Sequence, residues 1–263
     1  MTLWDAILLG ALQGATEFLP VSSSGHLVFA QHLIPGFTQP GILFDVMLHL
    51  GTMVAVICYF WRDLCGLGSC LWRHDPAAAV ERRLLRLLVI GSVPTAVIGL
   101  TFKDWFERMF AAPALVAGML LVTGTLLFFA DRYRPGSRRE GALTATDAIL
   151  TGIAQGFAII PGISRSGSTI VVLLLRGVSA ETAARFSFLL SLPAVGGAAL
   201  LSLRDLGQVP ATEVPLYFAG AGMALLVGLL AIHLLLGVLR RRRLGWFAVY
   251  CWLAGALGLT VFL

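Results

Sequence analysis

Apolar residues in this chain fall into long blocks separated by short charged stretches. Six such blocks run from Leu43 to Trp61, Leu87 to Phe102, Pro113 to Ala130, Phe186 to Leu203, Val214 to Leu239 and Leu244 to Leu263. Each can cross a hydrocarbon core of ~30 Å, which takes about 20 helical residues. Two other apolar segments, about Leu3 to Leu33 and Thr144 to Leu175, read differently because Pro, Gly and Ser interrupt them midway. Each half is about 15 residues, roughly 20 to 24 Å of helix, too short for a crossing. A helix, a polar turn and a second helix, re-entering the membrane from one side, fit that pattern better. Irregular backbone at membrane depth is tolerated only inside protein or against an aqueous cavity, so both turns should face a cavity within the bundle.

The two interrupted segments are copies of one unit. Asp5-Ala6-Ile7-Leu8, Gln13-Gly14 and Ser22-Ser23-Ser24-Gly25-His26 are answered 142 residues later by Asp147-Ala148-Ile149-Leu150, Gln155-Gly156 and Ser164-Arg165-Ser166-Gly167-Ser168. The same offset pairs Phe44 with Phe186 and Leu48 with Leu190. The expected fold class is an all-α polytopic membrane protein. One membrane domain spans 1–263, with repeat one at 1–140 and repeat two at 141–263. Each repeat would hold one re-entrant hairpin and three spanning helices. Because three is odd, the second copy should be inverted relative to the first.

Charge bears on that arrangement. One side would hold Arg62, Arg73, Arg82, Arg83, Arg86, Arg132, Arg134, Arg138, Arg139, Arg176 and the Arg240 to Arg243 anchor, leaving Lys103, Arg108 and Arg204 opposite. The basic side is expected in the cytoplasm. Both termini and the mouth of the first hairpin would then face out, and the second hairpin would enter from the cytoplasm. The parity would be unchanged if every segment spanned, so charge speaks to sidedness more than to re-entrance.

Composition excludes an ordinary soluble domain: 58% of residues are hydrophobic, 13% are charged, and mean hydropathy is +0.88. The net charge of +5 is explained by the loop arginines rather than by nucleic acid. The apolar N-terminus lacks a basic leader and an A-x-A site, and reads as mature protein. Cys58 and Cys251 fall in apolar spans, and Cys65 and Cys70 in one interhelical loop without zinc-ligand spacing, so free thiols are expected. Gly91, Gly99, Gly118, Gly124, Gly220, Gly228 and Gly255 should let helices approach closely.

Candidate chemistry concentrates where the copies differ. Gln13 and Glu17 share a helix face, and a carboxylate at membrane depth points to function: a metal ligand or a general base, against a buried ion pair or helix cap. The Pro and Ser-rich turn can aim backbone N–H groups at an anion. His26 follows it as a nucleophile, an acid/base or a satisfied interior histidine. In the second copy Arg165 stands among hydroxyls and glycines, where its planar fork suits phosphate or pairs with Glu17. Asp45 and His49 sit one turn apart and could line the cavity, with packing behind the site the better reading. Glu181 and Arg185 match a helix-surface pair. Together these residues suit an anion site and phosphoryl transfer, without choosing hydrolysis over transport of a lipid phosphate or small anion.

The segments Gln13-x-x-x-Glu17-Phe-Leu-Pro-Val-Ser-Ser-Ser-Gly-His26 and Pro161-Gly-x-Ser-Arg-Ser-Gly-Ser-Thr169 resemble the two signature motifs of the bacterial undecaprenyl-diphosphatase family. Asp45 to Val54 and Ala184 to Ala194 are also similar to that family, so the resemblance covers nearly the whole chain. It implies hydrolysis of undecaprenyl diphosphate to the monophosphate in the bacterial cytoplasmic (inner) membrane, recycling the peptidoglycan lipid carrier and conferring bacitracin resistance. The active site would open to the outer face. The implied catalytic set is Glu17, Ser23, His26 and Arg165, with Gln13, Ser22, Ser24, Ser164, Ser166, Gly167 and Thr169 around the substrate. A divalent metal, Mg²⁺ or Ca²⁺, is implied near Glu17. Gln13 departs from the family, whose members often have Glu there; an amide is no base and a weak metal ligand, so Glu17 must carry that role. The expected partners are the polyprenyl diphosphate and membrane lipids, not nucleic acid, and a homodimer is left open.

Overall fold

The computed structural model describes residues 1–39, 42–133, 136–202, 209–240 and 244–263. Among these residues the elements are α-helices and one short 3₁₀ turn, with no strand. Leu203, Arg134, Arg204, Arg241, Arg242 and Arg243 lie outside the described residues, as does the side chain of Arg240.

Both interrupted segments form helical hairpins. The first comprises α1 (Leu3–Glu17) and α2 (Ser23–Leu33). Next come α3 (Leu43–Tyr59), α4 (Trp61–Ser69), α5 (Pro76–Thr101), α6 (Lys103–Phe110) and α7 (Pro113–Arg132). The second hairpin comprises α8 (Ala145–Phe157) and α9 (Arg165–Leu175), followed by α10 (Ala180–Ser202), α11 (Val214–Arg240) and α12 (Gly245–Phe262). The hairpin arms run to 15, 11, 13 and 11 residues, all short of a crossing. Helices α5, α7, α10, α11 and α12 are long and apolar enough to cross, and α3 with α4 adds a span bent by 75°. Among the described residues, five of the six predicted blocks are thus candidate spans, and the first falls on the bent α3–α4 pair.

Local chemistry sets the ends of these helices. Both hairpins start on a capping box: the Thr2 hydroxyl accepts from Asp5 N, and Thr144 from Asp147 N, while each aspartate accepts from the threonine N–H. Such boxes satisfy two donors that a helix start leaves orphaned. In α5, Asp75 caps the start and Pro76 occupies the first turn, where its missing N–H costs nothing.

Packing exchanges equivalent elements between the halves. Helix α1 lies along α11, and its repeat mate α8 lies along α5. At each crossing a glycine meets backbone: a Cβ on Gly10 would strike the Gly220 carbonyl, and one on Gly152 the Gly91 carbonyl. Gly124, Gly228 and Gly255 also sit against neighbouring helices and Gly99 against Ile159 in the second turn, but Gly118 faces open space and has no such role. The repeat-paired Phe44, Phe186, Leu48 and Leu190 are all buried.

One end of the bundle gathers the basic loops. Arg185 bonds Asp63 at 2.6 Å and Glu140 at 2.5 Å, joining α4, α10 and the 3₁₀ turn. Both partners lie outside α10, beyond the helix-surface spacing read from the sequence. Burial pushes the Glu140 carboxyl above its ordinary range, Arg185 opposing this and the Asp63 and Glu81 charges adding to it. Arg83 bonds the Leu143 carbonyl. Arg138 and Arg176 converge on the buried Asp147, tying the start of α8 to the end of α9. Cys65 belongs to α4 and Cys70 caps its end, where the sequence suggested a loop. At other points Met1, Ile34, Phe37, Phe44, Val209 and Tyr217 share a separate apolar cluster.

Candidate functional site

The two polar turns dock on each other reciprocally. A Cβ on Gly25 would lie 3.2 Å from Gly162 Cα, and one on Gly167 would lie 3.3 Å from Pro20 Cβ. These are equivalent positions exchanged between the copies. Ser166 Oγ donates across the junction to the Leu19 carbonyl at 3.1 Å. Thr123 on α7 fixes the second turn, donating to the Gly162 carbonyl at 2.8 Å and accepting from Ser164 N at 3.0 Å.

Each turn ends in a serine N-cap. Ser22 Oγ accepts from Gly25 N at 3.3 Å, and Ser164 Oγ from Gly167 N at 3.0 Å. The caps leave the amides of Ser23, Ser24, Arg165 and Ser166 without a partner inside their own helices. Two helix starts therefore point partial positive charge at one junction, an arrangement suited to an anion.

Glu17 is the centre of this junction. It ends α1 and is buried at 6% exposure. Its Oε1 pairs with Arg165 Nη2 from the second turn. Its Oε2 accepts from Ser23 Oγ at 2.5 Å and from Gln13 Nε2 at 2.9 Å. His49 Nε2 stands 3.5 Å from the same oxygen. The His49 Nδ1–H is spent on the Asp45 carbonyl at 2.7 Å, which aims Nε2 at Glu17. Glu17, Ser23, Gln13 and Arg165, named from sequence, are thus brought together within one chain.

Other predicted residues are placed differently. Ser24 Oγ is 3.3 Å from Ser22 Oγ, and Ser166 Oγ the same distance from Ser164 Oγ. Thr169 is fully buried and faces Ser187 on α10 at 2.5 Å, also bonding the Arg165 carbonyl. His26 turns away from Glu17: Nδ1 is 2.7 Å from the Ser22 carbonyl, and Nε2 is 2.7 Å from the Tyr250 hydroxyl.

Two residues were ranked low or missed. His49 was placed behind the site, though its spacing from Asp45 on an intramembrane helix was the available signal. Tyr250 carried no signal, because only the packing of α12 brings it 224 positions back to His26. Asp45, held by Gln31 at 2.5 Å, borders a cavity of ≈ 410 Å³ lined also by His32, Gln39 and Glu107.

Among the described residues no group of three His, Cys, Asp or Glu side chains could hold a cation. Glu17 is ringed by donors, and Gln13 Oε1 is buried without a partner. The donor set fits only a cation whose ligands come mostly from a bound phosphate, with Glu17 contributing one carboxylate.

The sequence profile of bacitracin resistance protein BacA matches residues 6–257. This chain belongs to the BacA family. A relative from Syntrophotalea carbinolica, named undecaprenyl-diphosphatase, is 60% identical over 257 residues, covering 98% of each chain. Relatives of the same name from Moorella thermoacetica, 45% identical over 100% of this chain and 98% of the relative, and from Desulforapulum autotrophicum, 41% identical over 98% of each, are similar along their whole length. In this BacA-family chain the matched region contains both turns and every residue around Glu17.

Proposed function

We propose that the chain is an integral-membrane hydrolase that converts undecaprenyl diphosphate to undecaprenyl phosphate and inorganic phosphate. The names of its full-length relatives support this reading. The observation that carries it is the convergence of Ser23 and Arg165 on one buried carboxylate, Glu17. A hydroxyl, a proton acceptor and a fork that recognises phosphate are the parts that phosphoryl transfer needs.

In the resting protein Arg165 neutralises Glu17. An arriving diphosphate offers the guanidinium a doubly charged, bidentate partner, and the helix starts add their amides. Glu17 is then released to accept the Ser23 proton across the 2.5 Å hydrogen bond. Ser23 Oγ attacks the terminal phosphorus, the bridging P–O bond breaks, and the lipid monophosphate leaves with the electron pair. The Glu17 proton leaves with the monophosphate; water then attacks the phosphoserine and loses a proton to the restored Glu17 carboxylate, which passes it to Ser23 Oγ as that oxygen departs. Cleavage of the Ser–O–P link frees inorganic phosphate and restores Ser23. A divalent cation, Mg²⁺ or Ca²⁺, bound with the diphosphate would neutralise charge on phosphoryl oxygens.

We read the halves as inverted repeats and the basic-loop end as cytoplasmic, which turns the mouth of the first hairpin to the outer face of the inner membrane. The reciprocal α1–α11 and α8–α5 packing supports the first point. The clustering of Arg82, Arg83, Arg138, Arg176 and Arg185 loops supports the second. A second subunit is not required, since the residues around Glu17 all come from one chain.

Phosphate release from a polyprenyl diphosphate in detergent tests the reading. The wild-type protein should release it, while Glu17→Gln, Arg165→Ala and Ser23→Ala should each lose about 10²-fold or more in kcat. A protein that binds the lipid without releasing phosphate would be a transporter instead.

A further inference from the structure

The duplicated turns solve one backbone problem in two ways. In the second copy the chain takes its left-handed step at Gly162, φ +95°, which glycine permits without a Cβ clash. The equivalent position in the first copy is Pro20, whose ring holds φ near −65°. There the left-handed step falls instead on Ser22, φ +68° and ψ +92°. Ser22 is the one non-glycine residue with positive φ among the described residues. Its counterpart Ser164 has an ordinary φ of −74°. A serine held in this region is strained and persists only if its surroundings hold it.

His26 supplies that hold. The Ser22 carbonyl can only accept, so the proton between them sits on His26 Nδ1, 2.7 Å away. Nε2 is then a lone pair and accepts the Tyr250 O–H at 2.7 Å. The two rings stack with planes 7° apart and centroids 5.6 Å apart. Tyr250 is itself anchored, because α12 packs closely on α7 through Gly124 and Gly255. Its neighbour Cys251 also points its thiol at the Pro20 carbonyl, 3.7 Å away. The second copy has Ser168 where His26 stands. The strained serine and the imidazole occur together in one copy and are absent together from the other.

The strained peptide leads directly into Ser23, whose hydroxyl reaches Glu17 at 2.5 Å. We infer that Tyr250 and His26 are positioning residues: they clamp the Ser22 carbonyl in its left-handed turn and thereby aim Ser23 at Glu17, with His26 acting through the backbone rather than on the phosphorus. This inference rests on the proposed attack by Ser23. It assigns α12 a part in the reaction although it supplies no group to the anion site.

The test uses the purified full-length protein and a polyprenyl diphosphate, with kcat and KM measured separately. Tyr250→Phe keeps the stacked ring and loses one hydrogen bond, so kcat should fall about tenfold with KM little changed. His26→Ala should lower kcat about 10²-fold by removing the imidazole bond and leaving the Ser22 carbonyl only the backbone N–H of residue 26, at 3.3 Å. The decisive comparison repeats His26→Ala in an S22G background, where glycine takes the positive φ freely and still caps adequately. Relative to S22G alone, the histidine substitution should then cost no more than about tenfold. If H26A does not fold, Y250F against Y250F/S22G carries the same comparison.

A histidine substitution as costly in the S22G background as in the parent would overturn the inference and assign His26 to the chemistry. An inactive S22G, or wild-type kcat for Y250F, would overturn it too. A wild-type protein that releases no phosphate would instead defeat the proposed function, and retained activity in E17Q or R165A the roles given to Glu17 and Arg165, so the failures are distinguishable.

Discussion

Glu17 and Arg165 come from opposite copies of the duplicated motif and form an ion pair at the junction of the two turns, with side-chain exposures of 3% and 20%. Neither copy carries both residues: Ile159 stands where Glu17 would recur, and Ser23 where Arg165 has its counterpart. The pair therefore depends on both halves being packed, and removing either member leaves the other charge poorly compensated.

Arg165→Lys keeps the charge but loses the planar fork that bridges Glu17 and would grip two phosphate oxygens. We expect kcat for phosphate release to fall about 10²-fold, nearly as far as with alanine. A lysine variant within a few-fold of wild type would mean that charge alone suffices. Steady-state release assays on the two variants decide between these outcomes.

His49 extends the Glu17 network from α3. His49→Ala removes the 3.5 Å contact and should reduce kcat about tenfold, the worth of one polar contact of ~1.5 kcal/mol. His49→Gln, whose amide can still donate, should recover most of that loss. Equal activity of the alanine, glutamine and wild-type proteins would remove His49 from the site.

Asp147 is buried at 1% exposure beneath Arg138 and Arg176. Arg138→Ala leaves it one arginine short and should destabilise the protein by about 1–3 kcal/mol. Thermal unfolding in detergent should show a lowered Tm. Adding Asp147→Asn to that variant should return part of the loss, because it removes the underpaired charge and retains a side chain able to cap α8. An Arg138→Ala protein as stable as wild type would show that this cluster is dispensable.

Gly10→Val should force α1 away from α11, since its Cβ would collide with the Gly220 carbonyl, which cannot swing aside as a side chain does. A cost of about 1–3 kcal/mol or more is expected, with activity falling as Glu17 shifts. Gly118→Ala is the control: nothing lies within 4 Å of its added methyl, so Tm should hold or rise. The two variants can be compared in one thermal-unfolding series.

The contrast between Gly10 and Gly118 shows where sequence reading stopped. Both lie in apolar helices and look alike in sequence, but only one faces another backbone. The long apolar blocks, the two interrupted hairpins and the serine turns were legible, because hydropathy and turn chemistry act over a few residues. Glu17 and Arg165 were legible as ionisable groups at membrane depth, Gln13 as the neighbour of Glu17 on its helix face, and Ser23 through the family resemblance. The bonds from Arg185 to Asp63 and Glu140 were not legible, because helical spacing reports only neighbours on one helix. Both partners come from elsewhere in the chain.

By itself the sequence determined a helical membrane protein made of two copies of one unit, and it pointed to candidate residues in and beside their unequal turns. Tertiary structure decided which of those residues meet. It put Arg165 and His49 on Glu17, committed Thr169 to α10, and turned His26 toward Tyr250. Local propensities act along the chain, whereas a site is defined by distances of a few ångströms between side chains up to 224 positions apart. Those distances exist only once the helices have packed.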